Sequence, residues 1–152
     1  MIIGVISDTH GRLRPEAVAA MQGSHSIIHA GDIGDARILD ELSAIAPVTA
    51  VRGNVDQGAW AQKIPATNVL QVGEVSIYIL HNLAELDVKP EAANFAAVVY
   101  GHSHVAKQES KNGVLYFNPG SAGARRFQLP VSVGRLLLLN GKIQSEIVQL
   151  AG

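Results

Sequence analysis

Seven side chains suited to hard or borderline cations stand where apolar runs of this chain end: Asp8 and His10, Asp32, Asn54, His81, His102 and His104. The first two close Ile2-Ile3-Gly4-Val5-Ile6-Ser7, a short apolar run of the kind a strand covered on both faces displays. Ligands of open α/β sheets collect at the carboxyl ends of such strands. Asp8 and His10 are two apart, so both point the same way if the chain stays extended, and His102-Ser103-His104 repeats that pattern after Ala96–Tyr100. Each element also has an ordinary reading: a helix cap for Asp8 or Asp32, a turn for Gly53-Asn54-Val55-Asp56, a hydrogen-bonded ring for His81. Their conjunction argues for more, since four of the six histidines fall in these positions. One ion seldom takes seven such ligands, whereas two ions about 3.5–4 Å apart sharing a carboxylate do. Such a pair lowers the pKa of a solvent oxygen between them far below the roughly 15.7 of bulk water, giving hydroxide at neutral pH.

The elements that must carry these residues are legible in outline. Pro15–Met21 has Pro near a helix start and Gly23 past its end. Ser26–Ala30 is a second buried strand ending in Gly31-Asp32-Ile33-Gly34; Asp35 caps a helix over Ala36–Ala46, and Val48–Val51 is a third strand ending in Arg52-Gly53-Asn54. Right-handed crossovers set these three strand ends along one edge of one sheet. Gln57–Thr67 has no period and is expected to be a loop, with Trp60 as a lid or interface residue. Asn68–Val72 and Val75–Leu80 flank Gly73-Glu74 as a hairpin that runs into His81, and Ala84–Asn94 is helical only in part because Pro90 interrupts it. Val105–Glu109 with Val114–Phe117, and Val131–Leu139 with Lys142–Leu150, are hairpins around Asn112-Gly113 and Asn140-Gly141. The expected fold class is α/β (α+β): two packed mixed sheets flanked by helices, in a single domain over residues 1–152.

Composition narrows the partners. With 12 Lys plus Arg against 13 Asp plus Glu, the net charge of −1 offers no field for long nucleic acid or an acidic membrane. The absence of cysteine excludes disulfides and thiolate metal sites. No apolar run reaches the ~18 residues of a membrane span, and the start lacks a basic n-region, so a cytoplasmic protein is expected. A mean hydropathy of +0.19 suggests a homo-oligomer.

Asp8-Thr9-His10, Gly31-Asp32, Gly53-Asn54-Val55-Asp56, His81 and Gly101-His102-Ser103-His104, in that order, resemble the motif series of the calcineurin-like metallophosphoesterases. Length and the Asn118-Pro119-Gly120-Ser121 turn make the chain similar to the small bacterial and archaeal phosphodiesterases of that superfamily, to which the retromer scaffold subunit is related. The resemblance implies a four-layer αββα sandwich. It also implies a first metal held by Asp8, His10, Asp32 and His104 and a second held by Asp32, Asn54, His81 and His102, with Asp32 bridging. The implied reaction is in-line attack of a bridging hydroxide on a small phosphodiester, with Asp32, Asn54 and His81 acting through metal and phosphate. A carboxylate, amide and imidazole set suits Mn²⁺ first, then Fe²⁺, Co²⁺, Ni²⁺ or Zn²⁺. The alternatives are a non-catalytic interaction scaffold on the same fold, or a phosphomonoesterase or nuclease of the superfamily.

The chain departs from the family pattern at Val55, where many members have a histidine that steadies substrate or protonates the leaving group. Val55 can do neither, which leaves Asp56 as a candidate proton donor or supporting residue and favours aryl diesters over alkyl monoesters. Arg125 and Arg126 are candidates for substrate contact; His25 and His29 read as structural.

Overall fold

In a computed structural model, which describes residues 1–123 and 129–150, the apolar runs pair into two five-stranded sheets. The first contains β1 (Ile2–Ile6), β2 (Ser26–His29), β3 (Val48–Ala50), β9 (Ser132–Leu139) and β10 (Lys142–Gln149) in the order β10-β9-β1-β2-β3. The second contains β4 (Thr67–Val72), β5 (Val75–Leu80), β6 (Ala97–Val99), β7 (Lys107–Lys111) and β8 (Val114–Asn118) in the order β4-β5-β6-β8-β7. β1, β2 and β3 are parallel, with Ile6 beside His29 and His29 beside Ala50, so their carboxyl ends share an edge. β5, β6 and β8 are likewise parallel. Both sheets therefore deliver their loops to one side of the molecule.

Alternation along the strands builds the core. Ile3, Val5, Ile28 and Ala30 face Ile77, Ile79, Val99 and Phe117 between the two sheets. Ile6 and Ile27 face the other way, toward α1 (Pro15–Met21) and α2 (Ala36–Ser43), meeting Ala17, Met21, Ile38 and Leu42. The outer face of the second sheet, with Tyr78, Leu80, Val98 and Tyr100, is covered by Leu83, Leu86, Val88 and Phe95. Of that covering segment only Leu83–Glu85 is helical, as one 3₁₀ turn. The partial helix expected over Ala84–Asn94 is thus shorter than the sequence suggested, since Pro90 supplies no N–H and the apolar residues need only lie on the sheet. The Asn112-Gly113 and Asn140-Gly141 turns have positive φ at both residues, as two-residue hairpins of right-handed twist demand.

Gln57–Thr67 is not all loop. Ala59–Gln62 forms α3, and Trp60 lies half-buried against the helix-side core beside Ile64, which makes it a packing residue. A four-residue helix is too short for helical periodicity to show. Among the described residues no helix is long and apolar enough to cross a membrane.

Candidate metal centre

The loops after β1 and β2 are zipped together by backbone bonds: Asp8 N–H to the Gly31 carbonyl (3.0 Å), His10 N–H to Asp32 (2.9 Å) and Gly11 N–H to Ile33 (2.8 Å). From the second sheet, Gly101 N–H reaches the His81 carbonyl (3.0 Å), and the His102 N–H crosses to Asp8 Oδ2 (3.2 Å). Six of the seven expected ligands fall into two groups, Asp8 with His10 and His104, and Asp32 with His81 and His102, whose ligand atoms lie within 4.8 Å of one another in each group. Asn54 lines a cavity with His81 beside the second group.

The backbone reaches this arrangement differently from the extended pattern inferred from sequence. Asp8, His10, Asp32, His102 and His104 all adopt left-handed conformations, with φ of 57°, 47°, 54°, 72° and 65°. Left-handed backbone costs a non-glycine residue roughly 1–2 kcal/mol. Strain of this kind collects where surrounding structure must aim side chains at one point. His102 and His104 accordingly do not share a face but turn to different groups.

Each carboxylate presents one oxygen to the site. Asp8 Oδ2 accepts from Ser7 Oγ (2.8 Å) and His102 N, leaving Oδ1 at 3.7 Å from His10 Nε2, 3.9 Å from His81 Nε2 and 3.4 Å from His104 Nε2. Asp32 Oδ1 accepts from Val55 N–H (3.1 Å), leaving Oδ2 at 3.5 Å from His10 Nε2 and 3.2 Å from His81 Nε2. Asp32 comes this close because residue 53 is glycine, where a Cβ would collide with Asp32 Oδ1. His81 Nδ1 donates to the Ala30 carbonyl at 2.7 Å, since a carbonyl can only accept. The proton is therefore on Nδ1, and Nε2 turns its lone pair into the site, the tautomer a metal requires.

The buried atoms Asp8 Oδ1, His10 Nε2 and His81 Nε2 have no hydrogen-bond partner among the described residues, despite the short His81–Asp32 approach. Convergent buried lone pairs left without donors are costly, and a cation satisfies all of them at once. The donors fit divalent ions.

The sequence profile of the calcineurin-like phosphoesterase superfamily domain matches residues 1–141. A probable metallophosphoesterase of Methanothermobacter thermautotrophicus is 30% identical, over 98% of this chain and 92% of that protein. The chain belongs to the calcineurin-like phosphoesterase superfamily. Among solved structures, an archaeal phosphodiesterase superposes with a TM-score of 0.79 at 23% identity, covering 97% of this chain and 100% of that one. Vps29 of Chaetomium thermophilum also reaches 0.79, at 19% identity, covering 99% and 97%. The two mixed sheets are this superfamily's sandwich, and metal-dependent phosphoester hydrolysis is its chemistry.

Electrostatics in this phosphoesterase follow from the packing. Burial opposes ionisation of Asp32, but His81 and the Val55 N–H outweigh it and lower its pKa to about 2. Burial likewise disfavours charge on His81, yet Asp32 and the Ala30 carbonyl raise its pKa above the usual 6.5.

Of the two roles the sequence leaves open for Asp56, proton donor or supporting residue, its hydrogen bonds match the supporting one. Its carboxylate accepts from Ile33 N–H (3.1 Å), Gly34 N–H (2.9 Å) and Gly53 N–H (2.8 Å), so it braces the loops that carry Asp32 and Asn54. Val55, 47% exposed, stands beside the site as an apolar side chain. Arg125 and Arg126 lie outside the described residues.

Sequence reasoning passed over several supporting residues. Asn118 Nδ2 donates to the Gly101 carbonyl (3.1 Å) and Ser103 Oγ (3.2 Å), and Ser121 Oγ donates to the Asp8 carbonyl (3.2 Å), which gives the Asn118-Pro119-Gly120-Ser121 turn a function. His29 accepts at Nδ1 from Gly31 N–H (3.1 Å), so Nε2 carries the proton and donates to Thr9 Oγ1 (3.0 Å), which donates to the Ile33 carbonyl (2.8 Å). The signal was present in His29 preceding Gly31-Asp32, but only the register of β1 on β2 places Thr9 beside it.

Proposed function

We propose that this chain is a dinuclear phosphodiesterase of small diesters, using Mn²⁺ in preference to other divalent ions. The observation that carries this reading is Asp32 Oδ2, which lies between His10 of one ligand group and His81 of the other and so can join two ions. In this reading Asp8, His10, Asp32 and His104 hold one ion, and Asp32, Asn54, His81 and His102 the other. Bound ions would supply an activated water and electrostatic stabilisation of the phosphoryl group. The chain's own residues aim the ligand lone pairs, keep Asp32 ionised and hold His81 in the Nε2-presenting tautomer. Diester preference rests on Val55: with an apolar residue there and Asp56 committed to backbone amides, neither position supplies an acid to protonate a poor leaving group. Aryl diesters, whose leaving groups need no acid, suit the site best. The near-neutral net charge disfavours long nucleic acid as substrate, and a homo-oligomer remains part of the proposal.

The test is hydrolysis of bis(4-nitrophenyl) phosphate by metal-stripped protein, with and without Mn²⁺, beside Asp32→Asn. Mn²⁺-dependent turnover lost in the variant is expected. Equal inactivity of both proteins, together with binding of a protein partner by each, would favour the scaffold reading that the likeness to Vps29 raises.

A further inference from the structure

Beside the second ligand group a cavity of about 290 Å³ is lined by Asn54, His81, Arg52, Asn82 and Glu85. This is near the lower end of the roughly 300–1,000 Å³ of small-molecule sites, enough for one arm of a substrate. Arg52 is anchored: its Nη1 donates to the Ile64 carbonyl at 2.6 Å, and its backbone N–H to the Pro65 carbonyl at 3.0 Å, which holds the guanidinium in place. Its remaining N–H groups make no hydrogen bond among the described residues, and neither Arg52 nor Glu85 forms an ion pair there. Asn82, which also lines the cavity, uses its Oδ1 to accept from Ala84 N–H (3.1 Å) and retains its amide N–H₂.

The lining discriminates between possible arms. An alkyl arm would desolvate a guanidinium and a carboxylate without replacing their hydrogen bonds. An anionic arm would meet Glu85, and a cationic one Arg52. A neutral arm with adjacent hydroxyls satisfies both, since a hydroxyl can donate to the carboxylate and accept from the guanidinium or the Asn82 amide. Resting on the phosphoesterase reading of the adjacent centre, we propose that this cavity is a subsite for a vicinal diol, so that the preferred substrates carry a glyceryl or ribosyl arm on the phosphate.

The experiment compares the affinity of Mn²⁺-loaded protein for 2,3-dihydroxypropyl phosphate and propyl phosphate by titration calorimetry, in wild type, Arg52→Gln and Glu85→Gln. The expected result is tighter binding of the diol by about tenfold, the effect of one or two hydrogen bonds to charged groups, falling below about twofold in each variant. Equal affinities in wild type, or a preference that survives in either variant, would overturn the subsite. Hydrolysis of bis(4-nitrophenyl) phosphate by the same wild-type sample separates the two ideas. A diol preference without hydrolysis retains the subsite and removes the phosphodiesterase reading, and hydrolysis without the preference does the reverse.

Discussion

His29 is fully buried and held neutral, which makes it a sensor of pH in the fold itself. Burial is the main cause, and it lowers the pKa from 6.5 to about 4 against the smaller opposing pull of Asp8 and Asp56. Because the folded pKa is depressed, the unfolded chain binds a proton here that the folded chain refuses between pH 6.5 and 4. Stability is then complete above pH 6.5 and declines as pH falls toward 4. The difference between 6.5 and about 4 corresponds to about 3 kcal/mol, a large share of the roughly 5–15 kcal/mol of a typical domain. Asp32 loses its contribution only below pH 3.8, outside this window, whereas the raised pKa of His81 gives stability that is lost as pH rises through it. His29→Gln isolates the effect, since glutamine retains a donor near Thr9 but does not titrate. In urea melts of chelator-treated protein at pH 7.5, the variant should be less stable by about 1–3 kcal/mol, the cost of an unpaired Gly31 N–H. By pH 4.5 the difference should move in the variant's favour by at least about 2 kcal/mol. A gap that stays constant across this range would show that His29 is not held neutral.

Three other outcomes follow from the site's construction. Asp56→Ala removes the acceptor of three backbone N–H groups and should destabilise the protein by about 3 kcal/mol or more in denaturant melts, with Asp56→Asn intermediate. His102 is exposed with φ of 72°, so in metal-free protein His102→Gly should be more stable than His102→Ala by about 1 kcal/mol, and the reverse order would refute left-handed strain at this position. Phe117→Ala should cost about 3–5 kcal/mol, because the ring fills the core between the sheets over Gly134.

The sequence showed the site more clearly than the route by which the chain reaches it. Strand ends are marked by a change from apolar to polar residues, so Asp8, Asp32, His81 and His102 could be found one at a time, and parallel crossovers assign the first loops to a common edge. Backbone dihedrals at Asp8, His10, His102 and His104 were not legible, because nothing in an Asp or His residue declares a left-handed conformation that tertiary contacts impose. Asp56 was left between two roles for a related reason. A carboxylate in a turn looks the same whether it faces solvent, a substrate or three amides, and its partners at Ile33 and Gly34 lie more than twenty residues away. The short α3 and the irregular cover of the second sheet fall below the length at which periodicity carries information.

The geometry makes Asp32 and Asp8 unequal in what their loss should do to metal binding. Each offers one free oxygen that reaches both groups, but Asp32 Oδ2 lies closer across, at 3.5 Å from His10 as well as 3.2 Å from His81, against 3.9 Å from Asp8 Oδ1 to His81. Removing Asp32 takes the shared ligand from both proposed ions, whereas removing His10 takes one terminal ligand from one. Metal content after equilibration with Mn²⁺ and gel filtration should therefore fall from about two ions per chain to about one in His10→Ala and to nearly none in Asp32→Ala, the two-ion starting point following the two-metal arrangement. Asp32→Asn should fall close to Asp32→Ala, because the Val55 N–H can still hold one atom of the amide but the negative charge between the ions is gone. If Asp32→Ala retains a full ion while Asp8→Ala loses both, then Asp8 Oδ1, which also lies within 3.9 Å of His81, is the bridge and the proposed division of ligands must be redrawn around it.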